Sequence, residues 1–177
     1  MMRKWLAVVA LAMAIDACTP SAAPGPPAGS PVASADWSAA NLCMLEASET
    51  GITTTPSRFV KGKASILRIW NNSKRPYSFT APQFFAAIAP WKIVHRGRTQ
   101  NLPFACGRDG TVVQSVPGSV SEMSLVSGPA IKSIEVDPGE VSDIYFVPLE
   151  EGQYSFECMM YGQVTCAQAT TIFVTSE

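Results

Sequence analysis

From Asn41 onward the apolar residues recur with a period of two, in short runs rich in Val, Ile, Phe and Tyr. Gly, Pro, Asn and Asp punctuate those runs, and no helical period is sustained. In Ala64–Trp70, Ile66, Arg68 and Trp70 fall on one side of a strand and Leu67 and Ile69 on the other. Asn71-Asn72-Ser73 reads as the turn that ends it. A looser alternation spans Ile131–Val136, with Lys132, Ile134 and Val136 on one face. Asp137-Pro138-Gly139-Glu140 is a strong turn, because Pro presets φ and Gly accepts φ > 0. Val141–Val147, closed by Pro148, predicts the next strand. A turn at Glu150-Glu151-Gly152 feeds Gln153–Cys158, and Ala169–Thr175 is a β-branched last strand. Thr111–Val116 adds one more candidate.

Between them, Phe84-Phe85-Ala86-Ala87-Ile88 suits one short helical turn. Arg96–Gly128 (residues 96–128) is rich in turn residues and long for a connection, which predicts an insertion with structure of its own, such as a hairpin. Antiparallel strands at these spacings predict an all-β, Greek-key, two-sheet sandwich.

The N-terminus has a different pattern. Arg3 and Lys4 precede an apolar run, Trp5–Ile15, too short to span a bilayer, which reads as an export signal over residues 1–17. Ile15-Asp16-Ala17-Cys18 is similar to the lipobox of bacterial lipoproteins, which implies lipidation of Cys18; ordinary cleavage after Ser21-Ala22-Ala23 is the alternative. Residues 18–40 turn to Pro, Ala, Gly and Ser and predict a disordered, lipid-anchored tether reaching roughly 60 Å at ~3.1 Å per residue. Residues 41–177 are then a single domain in the cell envelope, facing the oxidising periplasm from the inner or the outer membrane.

Removing residues 1–17 from the 177 leaves 160, with a formal net charge of −2. That length suits one domain, and the near-neutral charge argues against nucleic acid as a partner. There is a single histidine, His95, so no metal or catalytic device needing two imidazoles can come from one chain. His95 between Val94 and Arg96 reads as a surface-loop residue. No nucleophile triad or phosphate loop is present, and no enzymatic activity is expected.

The order of Asn71-Asn72-Ser73, Tyr77-Ser78-Phe79, Ala81-Pro82-Gln83-Phe84-Phe85, Ile134–Glu140, Ile144–Pro148 and Gly152–Cys158 resembles the small bacterial cupredoxins, the plastocyanin-like blue-copper family. The resemblance runs from Ala64 to the C-terminus, and it implies a copper site of one thiolate, two imidazoles and a weak axial ligand. It places Cys158 at the thiolate, Tyr77 at the first histidine, Gln163 at the second and Gln168 at the axial position. Tyr77 is a poor ligand, since a phenol is mostly protonated near neutrality. A standard type 1 site is therefore not expected.

Two readings remain for the sulfur residues. Cys43, Cys106, Cys158 and Cys166 form an even set with three connectivities, among them Cys158–Cys166 with Cys43–Cys106. Alternatively Cys158 and Met160, on one side of a strand, join Cys166, Met44 or Met123 as soft ligands for Cu(I), unless Met159 and Met160 only fill gaps between the sheets. Trp70, Trp91, Tyr77 and Tyr161 are candidates for an apolar recognition patch near the altered site. The expected function is an envelope lipoprotein that binds an envelope protein or small ligand. No cofactor is the first expectation; copper held as Cu(I) or in an atypical electron carrier is the alternative.

Overall fold

The computed structural model describes residues 26, 28–96, 120–124, 131–160, 163–165 and 169–176. Two six-stranded sheets build a sandwich. A short 3-10 turn, Trp37–Ala39, leads into β1 (Asn41–Ser48), β2 (Gly51–Thr55), β3 (Arg58–Val60), β4 (Ser65–Asn71) and β5 (Tyr77–Thr80). A five-residue helix, α1 (Pro82–Ala86), precedes β6 (Ile88–Arg96), β7 (Val120–Ser124), β8 (Ile134–Val136) and β9 (Val141–Pro148). Then come β10 (Gly152–Met160), β11 (Gln163–Thr165) and β12 (Thr170–Thr175). Sheet A has the order β2-β1-β4-β9-β6-β7, and sheet B the order β3-β12-β10-β5-β8, with β11 paired to β10.

Both sheets are mixed. β1 runs parallel to β4 and β12 parallel to β3, where the sequence predicted antiparallel pairing alone. The architecture is a two-sheet β-sandwich. Alternation places Leu67 and Ile69 of β4 and Ile144 and Phe146 of β9 in the core, with Ile66, Arg68, Trp70 and Tyr145 on the outer face of sheet A. In sheet B, Phe79, Ile134, Phe156 and Ile172 face inward.

Helix α1 plugs the core with Phe84. Its ring lies 5.0 Å from Phe156, 5.3 Å from Phe146 and 5.6 Å from Tyr154, centroid to centroid. Pro82 suits the first turn, where its missing N–H is not needed. The turn at Asp137–Glu140 forms as predicted, with Gly139 at φ +77° and its N–H donating 2.7 Å to the Asn71 carbonyl.

Two expectations need correction. Residues 28–40 are not a free tether: Val32 is buried, the Trp37 indole N–H donates to the Val32 carbonyl, and the Trp37 ring lies 4.8 Å from that of Trp91. Composition hid this, because one Val and one Trp suffice to pin a segment otherwise made of Ala, Ser, Gly, Pro and Asp. His95 is no loop residue; it sits in β6, paired with Ser142 of β9 and Ser121 of β7. Pro90 and a bulge between Pro90 and Lys92 broke the alternation that would have announced β6. The 96–128 segment contributes a strand of sheet A, β7, while Thr111–Val116 lies outside the described residues.

Candidate functional site

The positions that the resemblance assigns to the first histidine and the thiolate lie where β5, β8 and the end of β10 meet. Tyr77 opens β5 and pairs with Val136 on one side and Met160 on the other; Phe79 pairs with Ile134 and Cys158. Tyr77, Phe79 and Cys158 are all buried, so the first-ligand and thiolate positions are diagonal neighbours on the inner face of sheet B. The two residues are 81 positions apart in sequence.

Their chemistry is not that of a blue-copper cage. The Tyr77 hydroxyl donates 3.4 Å to the Ser48 carbonyl, and its ring packs 6.2 Å from Phe79. Cys158 has no titrating thiol, being disulfide-bonded. Gln163 is in β11, where it pairs with Met160; Gln168, Tyr161, Cys166, Cys106 and Cys18 lie outside the described residues. Among the described residues no group of three or more His, Cys, Asp or Glu could hold a metal ion.

Other sulfur candidates separate from this place. Cys43 is a free, fully buried thiol on β1 that donates to the Pro56 carbonyl, which corrects its expected pairing with Cys106. Burial pushes it up to about 11, so it stays protonated near neutrality. Met44 alternates with the inward-facing Cys43 and Leu45 and so points to the outer face of sheet A, away from Cys158. Met159 is 46 % exposed, so it fills no gap between the sheets. Met123 lies in β7, opposite Ile93.

The one imidazole is elsewhere. His95 is 1 % exposed, in sheet A, and its Nδ1 lies 2.7 Å from the Ser142 hydroxyl. Nε2 has no hydrogen-bond partner among the described residues, and burial lowers the pKa to about 4 despite the neighbouring Asp143 carboxylate. Asp143 itself is fully buried on the opposite side of β9, gripped by Arg68 Nε at 2.7 Å and Nη2 at 2.9 Å, with Arg96 Nη2 at 3.3 Å. Sequence reasoning missed this group; the one available signal was the opposite charges of Arg68 and Asp143 on strands that prove to be neighbours.

Trp70 and Trp91 do not join Tyr77. They occupy the outer face of sheet A, where Trp91 and Tyr145 pack edge to face at 6.0 Å. On the outer side of sheet B a cleft of about 710 Å³ opens beside α1, lined by Gln83, Phe85, Ile131, Lys132, Ser155 and Glu157. It offers an ammonium and a carboxylate beside apolar carbon, and its volume suits a small molecule.

No protein-family model matches the chain, and no curated protein does. Among solved structures, Lac15 from a marine microbial metagenome is 21 % identical, over 88 % of this chain and 31 % of that one, at a TM-score of 0.41. A Cu-containing nitrite reductase from Thermus scotoductus is 9 % identical, over 77 % of this chain and 31 % of that one, at 0.44. Auracyanin from Roseiflexus castenholzii is 11 % identical, over 76 % of this chain and 96 % of that one, at 0.34. The chain spans less than half the length of the multicopper oxidases and nitrite reductases that it matches.

Proposed function

We propose that the protein is an exported, lipid-anchored binding module of the cell envelope, non-enzymatic, built on a cupredoxin-like sandwich that does not carry a type 1 copper centre. One observation carries this reading. The only imidazole is His95, held by Ser142 within sheet A, while the thiolate and first-ligand positions, Cys158 and Tyr77, lie in sheet B. A trigonal site with two imidazoles cannot be assembled from this donor set. The cleft beside α1, with Lys132 and Glu157 on its wall, is the place where a small polar ligand fits.

Cys166 is the bridge partner we assign to Cys158. Met159 pairs with Thr165, and the flanking residues of that pair are Cys158 and Cys166. A bridge there closes the loop that carries ligands in copper-binding relatives of this fold and leaves Cys43 and Cys106 as thiols.

Copper loading tests the whole reading. Purified protein given Cu(II) is expected to show no intense thiolate-to-copper visible band, and anaerobic Cu(I) titration against a chelator should give the same affinity for wild type and Cys158→Ser. Denatured, unreduced protein should expose two thiols, and peptide mapping should recover Cys158 joined to Cys166. A blue protein, or a Cu(I) affinity that falls with Cys158→Ser, overturns the proposal. Intact mass lacking acyl chains on Cys18 refutes the anchor alone.

A further inference from the structure

Six phenylalanines, Phe59, Phe79, Phe84, Phe85, Phe146 and Phe156, are buried in the core, and Phe173 is exposed on β12. Of four tryptophans the three in the described residues, Trp37, Trp70 and Trp91, are all half-buried on the outer face of sheet A. Trp37, Trp91 and Tyr145 form a triangle with ring centroids 4.8 to 6.0 Å apart. Lys92 lays its Nζ 4.4 Å from the Trp91 ring and 5.1 Å from that of Tyr145. Across the same face Arg96, 47 % exposed, leans toward Asp143, whose charge Arg68 already answers. The outer face of β10 is more polar: Gln153, Ser155 and Glu157 alternate along it, with Met159 and, on the paired strand β12, Phe173 as scattered exposed apolar residues, which is ordinary for a surface.

We propose that the outer face of sheet A rests on the bilayer, its tryptophans at headgroup depth and Lys92 and Arg96 against anionic headgroups. Indole and phenol rings join an apolar body to a polar edge and prefer the membrane–water interface, and Lys and Arg beside them gain from an anionic leaflet. The chain's own layout supplies the occupant. Trp37 fixes the segment entering the domain on this face, so only ten steps separate Cys18 from Ala28. Ten steps reach about 36 Å fully stretched, and roughly 17 Å on average if flexible. A lipid on Cys18 therefore holds this face, before others, close to the membrane. The inference rests on the anchor proposed above.

The full chain, with acylation read first by intact mass, is reconstituted in phosphatidylcholine vesicles with and without phosphatidylglycerol. A Trp5→Phe background removes the leader's signal if the leader is retained. Lipids brominated on their acyl chains should quench the remaining tryptophans, and acrylamide should quench them less than in detergent-free solution without vesicles. Cys18→Ser protein added to vesicles keeps the question independent of the anchor: it should partition onto phosphatidylglycerol vesicles, about fivefold less for Lys92→Gln and for Arg96→Gln. Emission that ignores bromolipid and stays open to acrylamide overturns the proposal. So does protection by a soluble polysaccharide with none by vesicles, which would make the face a glycan platform. A chain without acyl mass but with vesicle binding sinks the anchor and leaves the docking face standing.

Discussion

Two buried polar side chains show how much a single residue decides here. Asn71, fully buried at the end of β4, donates through Nδ2 to the carbonyls of Arg75 (2.7 Å) and Val136 (2.8 Å). Its Oδ1 accepts from the Ser73 N–H and hydroxyl, so one amide ties sheet A, the following turn and sheet B together. Asn71→Leu strands those groups without water, and should cost about 2–4 kcal/mol in urea unfolding. His95 governs the acid side. Its folded pKa of about 4 lies below the ordinary 6.5, so between those values the unfolded chain binds more protons. Stability is therefore complete above about pH 6.5 and falls as the pH drops toward 4. The loss should reach about 3 kcal/mol once the pH is below both values. Urea midpoints at pH 7 and pH 4.5 measure it, and His95→Gln, which has no proton to gain there, should flatten that part of the slope.

At the level of elements, legibility followed alternation. β4, β8, β9, β10 and β12 stood out because Leu67 and Ile69, or Ile144 and Phe146, recur at every second place between clear turns. A helical turn was visible at Phe84–Ile88, but it sits two residues earlier, at Pro82–Ala86, and Ile88 already belongs to β6. β1 to β3 were not visible, since Cys43, Leu45 and Ala47 alternate with Met44, an apolar residue that faces outward. Tyr77 and Cys158, which the motif order set side by side, do fall on paired strands, β5 and β10. The burial of His95 could not be read, because one imidazole gives no pattern and depends on a partner, Ser142, 47 positions away. Helix α1 also makes the sharpest elemental prediction. Phe84 touches β3, β9 and β10 through ring contacts with Phe59, Phe146 and Phe156. Phe84→Ala should cost about 3–5 kcal/mol by cavity formation, whereas Gln83→Ala on the exposed side of the same helix should leave the urea midpoint within error.

For the whole molecule the boundary between tether and domain is the issue, and two edits on either side of residue 28 decide it. Inserting a flexible Gly-Ser stretch between Pro27 and Ala28 leaves Val32, Trp37 and their contacts untouched, so the urea midpoint should not move. Twenty added residues would raise the average span from Cys18 from roughly 17 Å to roughly 30 Å. Deleting residues 28–40 does the opposite. It exposes the patch under Val32 and removes the Trp37 ring from Trp91 and Tyr145, and it also spares the chain the entropy of ordering thirteen residues. Burial of Val32 and the two ring contacts outweigh that entropy only modestly, so the expected loss is about 1–3 kcal/mol. Composition alone draws the boundary at residue 40 and predicts no loss at all. A deletion with an unchanged midpoint would return these residues to the tether and detach the tryptophan face from the anchor.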